Sequence, residues 1–466
     1  MKDSQNQQRQ QKTSYEGSLV EVRLEAGGKQ GAPRDCAASE TTKAETSHLM
    51  ERIVERENFR QAYKRVKANK GAPGVDGMKV EGLAEYLREN IGKLRESLLE
   101  GSYRPLPVRR VEIPKPDGGV RMLGIPTVID RFVQQAISQV MGELYDPTFS
   151  EHSYGFRPGR SAHGAIEQAR IYVDEGKRWV VDMDLEKFFD RVQHDRLMYR
   201  LSTRIGDKRL LRLIRKYLQA GVLLNGIRVR STEGTPQGGP LSPLLSNIVL
   251  DELDQELEKR GHSFVRYADD VNIYVRSKRS AERVLESVRK FVEGTLKLKV
   301  NQQKSEADRP WKRKFLGFSI FLYKGKARIK VHSRSWKRLK QKLKEMTNRN
   351  RGMSMRNRIA RLNRVIVGWV NYFYPAMMKS ALLKMDEWLR RRLRACLWKQ
   401  WPKVKTRYKA LRKLGFDHSK ALEFANTRKG YWRIACSPIL HRSMNNHFWK
   451  QCGLTTLSSH YAFLTS

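Results

Sequence analysis

Apolar residues recur at helical spacing from Met50 through Phe59, Ala62 and Val66, as one buried face of a helix requires. The segment Gly71-Ala-Pro-Gly74-Val-Asp-Gly77 ends that run with three glycines and a proline, a loop signal. Helical period returns over residues 79–104, carried by Leu83, Tyr86, Leu87, Ile91, Leu94, Leu98 and Leu99. Val108-Arg-Arg-Val-Glu-Ile113 then reads as a strand, Lys115-Pro-Asp-Gly-Gly119 as a hairpin turn, and Val120 to Ile125 as the returning partner. Helices and short apolar strands alternate from there to about residue 330, an α+β pattern. Beyond residue 331 the pattern is helical. Ile359, Leu362, Ile366, Trp369 and Phe373 share one face, and Leu382, Met385, Leu389, Leu393 and Cys396 share another. Residues 1–48 have no sustained apolar period and read as a disordered polar leader.

Charge narrows the class of partner. The chain has 92 Lys and Arg against 49 Asp and Glu, a net +43. Like charge at that density repels itself, and a polyanion relieves the repulsion and releases counterions as it binds. Residues 331–420 hold 26 Lys or Arg and only 4 Asp or Glu, interleaved with Trp388, Trp398, Trp401 and Tyr408. Within this stretch Arg390, Arg391, Arg392 and Arg394 are expected to grip nucleic acid; a solvated basic face is the plain alternative. No basic amphipathic helix dominates, which argues against a membrane partner. Cys36, Cys396, Cys436 and Cys452 form no C-x-x-C pair, against a zinc module or a disulfide framework. With no apolar span and no signal core, the chain is expected inside the cell.

Two segments place acids inside apolar runs: Trp179-Val-Val-Asp182-Met-Asp184-Leu-Glu-Lys-Phe188-Phe189-Asp190, and Phe264-Val-Arg-Tyr267-Ala-Asp269-Asp270-Val-Asn-Ile-Tyr-Val275. Carboxylates in such surroundings are expensive unless cations accompany them. A pair of Mg2+ ions resolves the repulsion and supplies phosphoryl-transfer chemistry. An isolated Asp-Asp pair would be an ordinary acidic turn; the apolar strands on both sides favour a metal site. Asp182 shares a strand face with Asp184, so spacing leaves both open as ligands.

These segments resemble a family. Tyr267-Ala-Asp269-Asp270 is similar to the Y-x-D-D box of reverse transcriptases, and Asp184-Leu-Glu-Lys-Phe188-Phe189-Asp190 to their first palm motif. Thr235-Pro-Gln237-Gly-Gly-Pro240 through Asn247, Leu298-Lys-Val-Asn301-Gln-Gln-Lys304-Ser and Lys314-Phe-Leu-Gly317-Phe318 resemble the blocks that follow. Ile113-Pro-Lys115 through Pro126 and Ser153-Tyr-Gly-Phe156-Arg157-Pro-Gly-Arg160-Ser161 complete the series upstream. Their order resembles group II intron-encoded reverse transcriptases, or maturases, over residues 50–466. Gly368-Trp369-Val-Asn371-Tyr372-Phe373 looks like the maturase thumb.

The resemblance implies a right-hand polymerase (fingers and palm) followed by an α-helical thumb and a short basic C-terminal region. Its divisions would be a leader at 1–48, an N-terminal extension and fingers at 49–180, a palm at 181–330, a thumb at 331–400 and a basic nucleic-acid-binding region at 401–466. It picks Asp184, Asp269 and Asp270 as metal ligands, with two Mg2+ ions. Lys304 would protonate the leaving pyrophosphate, unless it is a plain surface lysine. Lys115 and Arg121 would clamp the dNTP triphosphate, the alternative being a solvated hairpin. Gln237 and Leu185 join them at the nucleotide, and Phe189 would face the sugar 2′ position, where a ring excludes ribonucleotides. One of Phe188 and Phe189 is expected to be core.

Implied partners are group II intron RNA, target DNA, a primer strand and dNTPs, in a bacterial cytoplasm. The tail from Gly430 to Ser443 is similar to that of the nuclease-free lineage called class C, which leads us to expect priming from existing strands. A domesticated or defence reverse transcriptase (retron, diversity-generating or CRISPR-linked) and a splicing-only maturase are the rival readings. The long thumb argues against the first, and the intact Asp184, Asp269, Asp270 and Lys115 against the second.

Overall fold

A computed structural model describes residues 44–114, 120–224, 227–229, 233–234 and 238–466. Helices α1 (Leu49–Ile53), α2 (Arg56–Asn69) and α3 (Leu83–Leu99) bury the positions their periodicity marks, including Phe59, Ala62, Val66, Leu83, Leu94 and Leu98. Tyr86, Leu87 and Leu99 are half-buried, and Ile91 stays 37% exposed. Strand β1 (Val108–Pro114) pairs antiparallel with β2 (Val120–Ile125), Ile113 opposite Arg121, as the sequence anticipates. The expected turn at 115–119 lies outside the described residues.

Two helices follow, α4 (Val128–Tyr145) and α5 (Ala162–Asp174), then strand β3 (Trp179–Asp184) and helices α6 (Phe188–Arg191), α7 (His194–Arg204) and α8 (Lys208–Gln219). Strands β4 (Val222–Leu224) and β5 (Ile227–Val229) join β1 and β2 in a sheet ordered β2-β1-β4-β5. Helix α9 (Ser242–Lys259) leads to β6 (Ser263–Tyr267) and β7 (Asp270–Val275), then α10 (Lys278–Gly294) and β8 (Glu306–Asp308). These last strands and β3 form an antiparallel sheet ordered β6-β7-β3-β8.

A hairpin, β9 (Phe318–Tyr323) and β10 (Lys326–Val331), precedes the helical part: α11 (Ser333–Met346), α12 (Met355–Phe373), α13 (Lys379–Lys399) and shorter helices to Thr465. Both expected apolar faces of α12 and α13 are buried or half-buried. Phe318, Ile320, Ile329 and Val331 of the hairpin pack in one core with the thumb helices, although residues up to 330 read as palm in the sequence. The architecture is the expected α+β sheet layer followed by a helical domain. No helix among the described residues is long and apolar enough to cross a membrane.

The β6-β7-β3-β8 sheet lies between two hydrophobic clusters, and strand alternation decides what each face holds. Val181, Met183, Val271 and Ile273 enter the core shared with the N-terminal helices. Val180 and Tyr274 enter the core shared with the thumb. Asp182 and Asp184 lie on the Val180 face, and Asp270 and Asn272 on the Tyr274 face, so the acids look toward the thumb side. The fold therefore covers one end of that face with apolar side chains and leaves the acidic end open.

Candidate active site

The connection between β6 and β7 is two residues long, Ala268 and Asp269, with Ala268 at φ +58. A left-handed alanine is strained, and the turn is held by a guanidinium from the strand before it. Arg266 is fully buried and donates to the Ala268 carbonyl at 3.0 Å, to Asn247 Oδ1 at 2.9 Å and to Ser153 Oγ at 2.7 Å. Its charge is matched by buried Asp254, with contacts of 2.5–2.9 Å. Asn247 in turn donates to the Gly155 carbonyl at 2.9 Å. Gly155 must be glycine: a Cβ there would stand 2.3 Å from the Ala268 amide nitrogen. Three motifs far apart in sequence thus meet around one cation. Arg266 was passed over in the sequence, where nothing distinguishes it from other arginines.

On β3 the pairing register sets Asp184 opposite Asp270 and Asp182 opposite Asn272. The Asp184 backbone is fixed by Ser305 Oγ, which accepts from its N–H at 3.0 Å, and by the Asn301 N–H, which donates to its carbonyl at 2.9 Å. Lys304 Nζ lies 3.1 Å from Asp184 Oδ2. Asp182 is taken by Arg313, whose Nε and Nη2 reach one carboxylate oxygen at 2.9 and 2.7 Å. The carboxylate that strand alternation left open as a second ligand is therefore engaged by an arginine, and Asp184 is the one aligned with Asp270.

Asp270 is exposed toward the cleft. Desolvation by the surrounding protein lifts its carboxyl to about 7; Asp269, Asp182 and Asp184 add to the rise and Lys314 opposes it. Carboxylates that raise one another's proton affinity leave a strong local demand for positive charge. All the donors are carboxylate oxygens, the set a hard dication such as Mg2+ prefers. Among the described residues, no three His, Cys, Asp or Glu side chains already converge as a ligand group. The residues present fit such an ion by chemistry and charge.

The acids floor a cleft of about 1280 Å3 whose far wall is the thumb. Lys312, Lys314, Arg334, Arg338, Lys342 and Arg364 line it with Trp369 and Tyr372. These cations come from β9's approach, α11 and α12, and sequence reading did not single them out. Helix periodicity could have found Arg334, Arg338 and Lys342, which recur at four-residue spacing on α11. The Leu316–Gly317 bend, with φ of +50 and +87, is tied to α12 by the Tyr372 hydroxyl, which donates to the Leu316 carbonyl at 2.8 Å.

Other expected site residues divide. Phe188 is buried core, and Phe189 is half-buried beside it, the rings edge-on with centroids 5.3 Å apart. Leu185 is 4% exposed with its side chain in the core, which leaves only its backbone to meet a nucleotide. Lys115 and Gln237 lie outside the described residues. Arg121 sits on β2, but its side chain is likewise outside them.

The arginine run on α13 also differs from expectation. Arg394 is 3% exposed and donates to the Ala435 carbonyl at 2.8 Å, with His441 Nε2 3.0 Å away. A guanidinium shut in under two later helices is not a phosphate-facing surface, which corrects its placement among the nucleic-acid contacts. Arg392 donates to Thr347 Oγ1 at 2.6 Å and to the Lys344 carbonyl at 3.0 Å. Arg391 stacks on Trp432 at 3.8 Å. Arg390 is half-buried.

Comparison with known proteins agrees with the geometry. Residues 113–320 match the family model for reverse transcriptase (RNA-dependent DNA polymerase), and residues 336–415 match the group II intron, maturase-specific domain. Protein YkfC of Escherichia coli is 38% identical, the match covering 55% of this chain and 78% of YkfC. The group II intron-encoded protein LtrA of Lactococcus lactis is 41% identical over 42% of this chain, but the match spans only 32% of LtrA. A solved Cas6-RT-Cas1–Cas2 complex is 25% identical over 53% of this chain and 42% of its own, with a TM-score of 0.34, too loose a superposition to bear on function. The reverse transcriptase match ends within β9 and the maturase match starts in α11, runs through α12 and α13 and continues past them to residue 415, so both halves of the cleft are accounted for: this chain belongs to the family of group II intron-encoded reverse transcriptases and maturases.

Proposed function

We propose that this member of the family copies RNA into DNA, with group II intron RNA as its template, and helps that RNA fold for splicing. The observation that carries the polymerase reading is the register of Asp184 against Asp270 on the floor of a cleft walled by thumb cations. Asp184, Asp269 and Asp270 would hold two Mg2+ ions. When bound, these would activate the primer 3′-hydroxyl and steady the departing pyrophosphate.

The chain's own side chains do the rest. Arg266 holds the Ala268–Asp269 turn, so the two adjacent aspartates keep a fixed direction. Lys304, 3.1 Å from Asp184, would give a proton to the leaving group. Lys115, Arg121 and Gln237 would hold the dNTP. Phe189 would turn away a 2′-hydroxyl by steric contact. Lys312, Lys314 and the α11 cations would follow the phosphates of the primer–template helix, each contact releasing counterions. Intron RNA and target DNA are the natural polyanions for a chain of net +43. The basic thumb supports the splicing role by the same chemistry. Priming from existing DNA strands and a bacterial cytoplasmic setting belong to this reading too.

The test is primer extension on an RNA template. Wild type should make cDNA with Mg2+, and Asp269→Ala/Asp270→Ala should make none while still binding RNA. cDNA from that variant would remove the acids from the chemistry. The same assay supplied with ribonucleotides should show Phe189→Ala incorporating them more readily than wild type, and unchanged sugar selection would exclude Phe189 from the gate.

A further inference from the structure

Lys304 has an exacting task and a loose side chain. The side chain is 64% exposed, and a flexible four-carbon stem in solvent samples many rotamers. A proton donor has to stand within hydrogen-bond reach of the reacting oxygen, and a misplacement of about 1 Å can cost on the order of 100-fold in rate. The backbone beneath it must supply the order that the side chain lacks.

The turn that carries Lys304 is pinned at both ends to Asp184. The Asn301 N–H donates to the Asp184 carbonyl at 2.9 Å, and Ser305 Oγ accepts from the Asp184 N–H at 3.0 Å. Within the turn, the N–H groups of Lys304 and Ser305 donate to the Asn301 carbonyl at 3.2 and 2.9 Å. The Lys304 carbonyl takes no part in these bonds. It accepts from Arg313 Nη2 at 2.7 Å. The same guanidinium holds Asp182 on β3, and through Nη1 it reaches Glu306, the first residue of β8, at 2.6 Å. A planar fork with five donors can serve three acceptors on separate segments; a compact ammonium cannot span them.

Charge alone does not explain this arrangement. Asp182 is already neutralised by the Nε and Nη2 contacts to its Oδ2. The bond to the Lys304 carbonyl adds nothing to that balance. What it adds is a tie between the Lys304 turn and the strand that carries Asp184. We propose that Arg313 is a positioning residue for nucleotide addition: its guanidinium locks the Lys304 turn onto β3 and so keeps Lys304 Nζ at Asp184. The consequence for catalysis rests on the polymerase reading; the locking of the turn does not.

Arg313→Met removes every donor. Because it also strands Asp182, the charge-balanced Asp182→Asn/Arg313→Met is made beside it. Hydrogen–deuterium exchange over residues 301–306 should quicken in both variants, relative to α9 in the same protein. Single-turnover nucleotide addition at saturating primer–template and dNTP should slow by on the order of 100-fold in Arg313→Met. Lys304→Ala/Arg313→Met should be no slower than Lys304→Ala, since the arginine acts through the lysine. Wild-type exchange and rate in Asp182→Asn/Arg313→Met would reduce Arg313 to a counterion and overturn the proposal. Unchanged exchange or an undiminished rate in Arg313→Met would overturn it too, as would rate losses that add in the Lys304→Ala double variant. If wild type bound the primer–template without extending it, the polymerase reading would fall, and the exchange data would still decide whether Arg313 locks the turn.

Discussion

Asp184 and Asp270 face each other across the β3–β7 ladder, and Lys304 reaches Asp184 at 3.1 Å from a segment 120 residues downstream. Strand pairing, not a flexible loop, sets the distance between these acids. Any chemistry there inherits the rigidity of a sheet held between two cores.

Lys304 is 64% exposed, so its ion pair with Asp184 contributes little to stability. Its effect should show in the chemical step. Lys304→Ala is expected to slow single-turnover nucleotide addition by about 10²- to 10⁴-fold while leaving primer–template affinity intact. Rapid-quench kinetics separate the two, and a defect confined to dNTP affinity would make Lys304 a binding residue instead.

Removing Arg266 leaves Asp254 charged, buried and unpaired. Arg266→Met should therefore lose about 3–5 kcal/mol of stability, whereas Arg266→Met/Asp254→Leu should regain much of it. Urea denaturation measures both. If the stable double variant also regained full polymerisation, the guanidinium would be irrelevant to the direction of the catalytic turn.

The strands and the acids were largely readable from sequence, because period-two apolar runs broken by carboxylates are a local signal. Val108 to Ile113 with its partner and the Asp269–Asp270 turn are examples. Arg266 was not readable: its partners Ser153, Asn247 and Asp254 lie 12–113 residues away, and only folding reveals them. Arg394 misled for the same reason. It reads as one of a surface run, and the residues that bury it, Ala435 and His441, are 41 and 47 positions later. Leu185 lies inside a motif named for its acids, but strand alternation turns its side chain into the core.

The two α13 arginines make opposite predictions. Arg394→Met should lower the melting temperature and leave the salt dependence of RNA binding unchanged. Arg390→Gln, if its guanidinium contacts one phosphate, should reduce the log–log salt slope by about 0.7–0.9 with little change in stability. Binding titrations across salt concentrations check both, and equal slopes for Arg390→Gln and wild type would make Arg390 a solvated face.

Asp251 is 6% exposed. Its Oδ1 has no hydrogen-bond partner among the described residues, while Oδ2 accepts from Gln255 at 2.7 Å. Burial first, then Asp254, lifts its carboxyl from 3.8 to about 6. A raised carboxyl favours the folded state when protonated, so its contribution is complete below pH about 4 and lost as pH rises through about 6. Asp251→Asn should gain on wild type by on the order of 1–2 kcal/mol over that interval. Denaturation at pH 4 and pH 7 reads the difference; the same gap at both would contradict the assignment.

The central claim is that the acids of β3 and the β6–β7 turn share divalent cations. Titration with Mn2+, followed by the paramagnetic signal of the free ion, measures this without any catalytic step. Wild type should bind two ions per chain, and Asp184→Asn and Asp270→Asn should each lose at least one while keeping the fold. Unaltered Mn2+ binding in both folded variants would contradict the account.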